Sequence, residues 1–430
     1  MHPPGSGINM DDADFGAPPW LPRTTGADTF SAGGRASAPV RPAKDGSERR
    51  MVSLKAYRTW ALAAAPLLLQ TACSPSPEPA AHDGVRADTP TLAALVDPAW
   101  EVQYRDSTRL FIGMSVVDAN TVWVAGQPGT WGRTTDGGAT WTVSRVPGAE
   151  DMAFRDVHAF SADEAFLLSI GNGAASRIYR TADGGESWTL SFENQDPNAF
   201  FDCLSFWDRN RGFAFSDAHE GEFTLIRTED GGGSWTRVDP AHVPDARPGE
   251  GAFAASGTCV ETGPDGLGWF VTGASGVDTR VMRTTDYGAT WSEAPTPVPS
   301  GGNTEGLASV AFRDALHGAV FGSAEGPEAV NVATTADGGL TWSPAGVALG
   351  GIVYGGAVVP GTPTPTWVAV SPRGSAWSHD DGRTWTTFDT VNTWTVAFLS
   401  ADVGWAGGRG HISRILNRGA APDPGGSPDR

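Results

Sequence analysis

Six near-identical octapeptides recur between Thr134 and Trp385, so the chain is built from equivalent units and not around one irregular core. They read TTDGGATW, TADGGESW, TEDGGGSW, TTDYGATW, TADGGLTW and SHDDGRTW, and share the pattern [ST]-x-D-x-G-x-[ST]-W. Their aspartates, Asp136, Asp183, Asp230, Asp286, Asp337 and Asp380, are 43 to 56 residues apart. Each copy lies between two short apolar runs, as in SRIYRTADGGESWTLSF, which predicts a hairpin loop. The carboxylate can accept backbone N–H groups of the residues that follow. Gly138 and its five counterparts permit φ > 0, the hydroxyl before the Trp can close the same loop, and the Trp can wedge between neighbouring units. A reacting group is not needed once per unit, so the six aspartates read as structural.

Upstream of each octapeptide an apolar strand and a polar turn lead into a strand of aromatic and small residues, as in SVVDANTVWVAG and HAFSADEAFLLS. Seven such first hairpins stand against six octapeptides. The last hairpin is followed by HISRIL (411–416) and a polar tail, while WEVQYR (100–105) repeats the Trp-plus-alternation pattern seen after the octapeptides. The octapeptide resembles the Asp-box, or BNR repeat, of the sialidase-like superfamily, whose boxes join the third and fourth strands of four-stranded blades. Resemblance and count together lead us to expect an all-β fold: a seven-bladed β-propeller with Asp-box hairpins. The N-terminal strand is expected to complete the last blade as a strand (velcro) closure that removes exposed sheet edges.

The remaining residues divide into segments. Residues 1–50 are rich in Pro, Gly, Asp and Arg without hydrophobic periodicity; we expect them to be disordered and to reflect an overlong start, with Met51 the better beginning. Residues 51–72 read as a secretory signal peptide: Lys55 and Arg58 are basic, TWALAAAPLLLQ is apolar but short for a membrane span, and Thr71-Ala72 precede Cys73. The arrangement resembles a bacterial lipoprotein signal with Cys73 as the lipidated residue. Gln70 stands where that signal has Leu, which leaves ordinary cleavage open. Residues 73–96 are expected to be a flexible tether, 97–417 the propeller and 418–430 a disordered tail. This places the protein outside the cytoplasm, lipid-anchored to the cell envelope and facing the periplasm, with the outer membrane as a destination if the organism is Gram-negative.

The formal charge is −19 and becomes about −21 once residues 1–72 are removed. Nucleic-acid binding and polybasic membrane contact need clustered cations, so we expect no nucleic-acid partner and membrane attachment through the lipid alone. With Cys73 assigned to the lipid, Cys203 and Cys259 remain, both on expected innermost strands of consecutive blades. Sequence leaves a disulfide and a pair of buried thiols equally open. No Cys and His spacing suggests a metal site, and no Gly-rich strand-to-helix turn suggests a cofactor.

Binding groups of a propeller are expected at the channel mouth, on the face opposite the boxes. The segment Phe215–Glu222 and the loop Pro244–Phe253 supply Asp217, His219, Glu220, Arg247 and Glu250 as candidate binding residues, joined by Arg373, Arg409 and His411 from late loops and by turns at Asn172 and 301–305. The plainer reading of these residues is solvated loop. Asp156, Asp202 and Thr258 on inner strands read as groups that hydrate the channel or pair with backbone.

The boxes resemble those of sialidases, of xyloglucanase-type glycoside hydrolases, and of the seven-bladed photosystem II assembly and stability factor family with its non-photosynthetic bacterial relatives. A sialidase carries an Arg triad, a Tyr nucleophile with a Glu partner and an early Phe-Arg-Ile-Pro segment. That segment is absent here; Tyr354 and Glu305 are the nearest candidates. A xyloglucanase has a second propeller. The assembly-factor family fits best in size and box spacing, and that resemblance implies a monomeric, non-catalytic scaffold that binds a protein client at the channel mouth or a side groove. The alternative is a sialidase-like hydrolase of envelope or extracellular glycans.

Overall fold

The computed structural model describes residues 93–274, 277–300, 306–324 and 330–419; the expected disordered start, signal peptide, Cys73 and most of the tether and tail lie outside them. Regular structure in these residues is antiparallel β-sheet with three single-turn 3₁₀ helices. The chain is an all-β propeller. Its innermost strands, Ala153–Ala159, Phe201–Phe206, Val260–Thr262, Leu307–Phe312, Gly355–Val358 and Thr393–Ser400, contact one another in sequence, and Pro98–Val116 touches both the first and the last of them. The four-stranded sheets are laid down from the inside outward in chain order, as in Ala153–Ala159, Ala165–Ile170, Arg177–Thr181 and Thr189–Glu193.

Among the described residues the hydrogen bonding gives six sheets, which corrects the expectation of seven separate ones. The reason is one unbroken strand. Pro98–Val116 pairs through its first half with Val403–Asn417, Tyr104 opposite Ile412 and Trp100 opposite Ile415, and through its second half with Val122–Gln127. The last and first repeat units therefore merge into one six-stranded sheet that joins both ends of the propeller.

The octapeptides form compact turns. Thr134 Oγ1 donates to Asp136 Oδ1 (2.8 Å) and accepts the Gly138 N–H (2.9 Å); Asp136 in turn accepts the Thr140 N–H (2.9 Å) and hydroxyl (2.6 Å). The same four bonds recur around Asp183, Asp230, Asp286, Asp337 and Asp380. Gly138 sits at φ 87°, where a side chain would be strained. The Trp that ends the turn packs across to the preceding unit in several of the copies: Trp188 lies 5.7 Å from Trp131, Trp291 lies 5.1 Å from Phe213, and Trp385 lies 6.1 Å from Phe321. These large apolar wedges fill the space left as sheets splay outward, and they bury the aromatic area that holds each sheet to the next.

Candidate functional site

The channel mouth is occupied by the chain itself. Between the third and fourth sheets the backbone leaves the ladder after Arg237, and residues 251–258 lie against strands from several sheets. Asp217 Oδ1 accepts the Ala252 N–H (2.9 Å), and Arg155 Nη1 donates to the Ala254 carbonyl (3.1 Å). Ser256 Oγ donates to the Tyr354 carbonyl (2.7 Å), Thr395 Oγ1 donates to the Ser256 carbonyl (3.1 Å), and Thr258 Oγ1 donates to Ser309 Oγ (2.7 Å). Gly257 is packed so closely on Asp156 that a Cβ there would lie 2.5 Å from Oδ1. The segment GAFAASGT can cross so crowded an axis because its residues are nearly all small.

Its base is an ion pair. Glu250 accepts from Arg280 Nε (2.6 Å) and Nη2 (2.5 Å), from the Thr272 hydroxyl (2.6 Å) and from the Arg247 N–H (2.8 Å), and both charged side chains are almost fully buried. Arg280 also pairs with Glu293. The mouth residues named from sequence therefore part company. Asp217 and Glu250 turn inward and fasten the segment. His219 and Glu220 stand at the exposed tip of the hairpin between Gly212–His219 and Glu222–Thr228, 3.8 Å apart. Arg247 donates to the Asp278 carbonyl (2.9 Å) and Arg373 to the Gly350 carbonyl (2.8 Å). Arg409 belongs to a different place, a groove beside the closing strand, with Arg109. His411 is buried, with its ring bonded to Ser413 Oγ and the Asn392 carbonyl.

Four ionisable groups crowd the inner end of the mouth. Burial lowers the Arg155 guanidinium to about 10 against the pull of Tyr354 and Asp202; its Nε has no hydrogen-bond partner among the described residues, and its plane sits 5.7 Å over Trp394. Burial, and then the Asp217 carboxylate, raise Asp202. Burial pushes Asp156 up to about 7, although the Leu204 and Val157 N–H groups bond its two oxygens. Tyr354 is raised by burial and stands edge-on to Trp394 at 4.7 Å. Arg155, Trp394 and Arg280 were missed at the level of sequence. The signal that could have found the segment is the 56-residue gap between Asp230 and Asp286, the longest between repeats.

These shifts oppose those of the repeat turns, where hydrogen bonds from Thr140 and its counterparts hold Asp136, Asp183, Asp230 and Asp337 down at about 2. A depressed carboxyl contributes stability above its unfolded value of about 4 and loses it as pH falls toward 2. A raised one, Asp156 or Glu261 at about 8, keeps its proton in the folded state. It therefore erodes stability as pH climbs from about 4 through 7 to 8. The melting temperature is expected to peak at about pH 4 to 5 and to fall on both sides; a maximum above about pH 7 would contradict this balance.

No protein-family model matches the chain, and no curated protein matches it in sequence. Solved structures do. YCF48 bound to a D1 peptide is similar at TM-score 0.51 and 19 % identity, over 74 % of this chain and 96 % of that one. YCF48 from Cyanidioschyzon merolae is similar at 0.52 and 17 %, over 74 % and 98 %. A streptogramin B lyase is similar at 0.53 and 12 %, over 74 % and 97 %. At 12 to 19 % identity, likenesses to a peptide-binding protein and to a lyase alike establish that this chain has the β-propeller fold.

Proposed function

We propose that the protein is an exported, non-catalytic propeller that binds a protein client on its mouth face or a side groove. In this reading residues 51–72 direct its export and Cys73 anchors it by lipid to the envelope. The observation that carries the client reading is the likeness to YCF48 bound to a D1 peptide, which extends over 96 % of that chain. Two features of the mouth support it. Residues 251–258 fill the axis, so a client is received on the rim. Tyr354, the tyrosine named above as the candidate nucleophile of a sialidase-like reaction, is raised by burial, whereas a phenol nucleophile needs its proton held loosely. Arg155 is the arginine beside it, and Glu305 lies outside the described residues.

Affinity capture from envelope extracts tests the reading. Both lysines, Lys44 and Lys55, precede the propeller, so carboxyl-directed coupling is used to fix the complex and not amine-directed coupling. The expected result is a reproducible protein partner that is retained by Tyr354→Phe. A glycan-cleaving activity lost in Tyr354→Phe, with no partner captured, would sink the proposal in favour of the hydrolase.

A further inference from the structure

We propose that the groove beside the closing strand is the docking site for an acidic, extended segment of the client, held through its carboxylates by Arg105 and Arg409. The assignment rests on the client-binding reading above and adds the place and the chemistry.

Two adjoining cavities, of about 280 and 660 Å³, meet at Ser107 and Arg409. They open where the ladder between Pro98–Val116 and Val403–Asn417 is interrupted, between the pairs Arg105 with His411 and Leu110 with Arg409. The interruption carries Asp106 to Arg109 out of the ladder and leaves a trough along the seam of the six-stranded sheet. Arg105 and Arg409 are exposed, line the same cavity, and sit two positions apart on paired strands. Like charges that line one cavity repel. Yet neither has a carboxylate within ion-pair distance among the described residues, in a chain whose formal charge is −19.

Two acidic residues line the joined cavities: Asp151 of the smaller one forms no ion pair with Arg409, and Asp106 of the larger one does not compensate the arginines either. Asp106 is engaged by the Thr108 N–H (3.0 Å), the Thr108 hydroxyl (2.6 Å) and Arg109 Nε (2.9 Å), and those bonds hold its carboxyl low. Arg109 is fixed in turn by the Thr130 hydroxyl (2.6 Å). The trough thus keeps two unpaired guanidiniums on a rigid backbone, and a guanidinium fork matches a carboxylate with two parallel bonds.

The probe is fluorescein-labelled octaglutamate, compared with octaglutamine, on the full mature chain. Octaglutamate is expected to bind with an affinity that falls as salt rises, and R105A/R409A to weaken it at least roughly 10-fold. The charge-matched pair R237A/R383A, far from the trough, is expected to leave binding unchanged. Both groove residues are exposed, so the melting temperature should not move. Equal binding by R105A/R409A, equal binding of octaglutamine, or full displacement by inorganic sulfate at matched ionic strength would each overturn the assignment. Capture of the client separates the two ideas. A client held equally by wild type and R105A/R409A removes the groove and leaves the client reading standing; octaglutamate binding lost in R105A/R409A with no client captured leaves the groove and removes the reading.

Discussion

Glu250→Ala is expected to destabilise the propeller by about 3 kcal/mol, near the lower end of what breaking a buried ion pair costs. The substitution leaves the Arg280 guanidinium, almost fully buried, without its main partner, and strips the Thr272 hydroxyl and the Arg247 N–H of their acceptor. Glu293, which is partly exposed, stays paired with Arg280 and keeps the loss from being larger. The pair costs more to break than to replace, so Glu250→Leu with Arg280→Met should recover much of the loss. Urea unfolding measures both. A loss below about 1 kcal/mol in Glu250→Ala would show that the ion pair is not what fastens residues 251–258. Since Glu250 immediately precedes that segment, the variant should also speed hydrogen exchange at Ala252.

Cutting the bond between Cys203 and Cys259 is expected to cost about 4 kcal/mol, the chain entropy released when a loop of this length is opened. The two cysteines are 56 residues apart, with their Cα atoms 6.1 Å from each other, and both sulfurs are buried between the third and fourth sheets. The closed loop contains the third repeat turn and the whole mouth segment, so it ties the plug of the channel to an innermost strand. Cys259→Ser and reduced wild type should melt alike, well below the oxidised protein. Coincident melting of oxidised and reduced wild type would mean that packing alone fixes this junction.

The two predictions bear on residues that differ in how far sequence reveals them. Cys203 and Cys259 could be paired as candidates from their places in successive repeats, but whether their Cα atoms approach closely enough is a matter of three dimensions. Glu250 could be seen as a mouth residue. Nothing near it in the chain announced that its partner would be Arg280, thirty positions on, and an acidic loop residue reads as solvated until a buried cation is placed against it. Arg155 shows the same limit from the other side. On its strand it is one charged residue in an alternating pattern, and only convergence with Trp394, Tyr354 and the Ala254 carbonyl makes it part of the mouth. The groove at Arg105 and Arg409 is built from opposite ends of the propeller and exists only because those ends pair.

What the amino-acid sequence determined by itself is local and periodic: an all-β chain, hairpin turns closed by Asp136 and its five counterparts, and an aromatic wedge at each. The turns depend on contacts within about eight residues, which the repeat spells out six times; the Trp of each wedge is spelled out with them, but its packing partners lie farther off, as Trp131 does for Trp188. What only the tertiary structure decided is how the units join and what fills the axis. The number of separate sheets turned on whether Pro98–Val116 runs unbroken from one unit to the next. The fate of Asp217 and Glu250 turned on which groups the ring brings to them. Long-range pairing and burial are set by the closure of the whole circle, and no short window of sequence carries them.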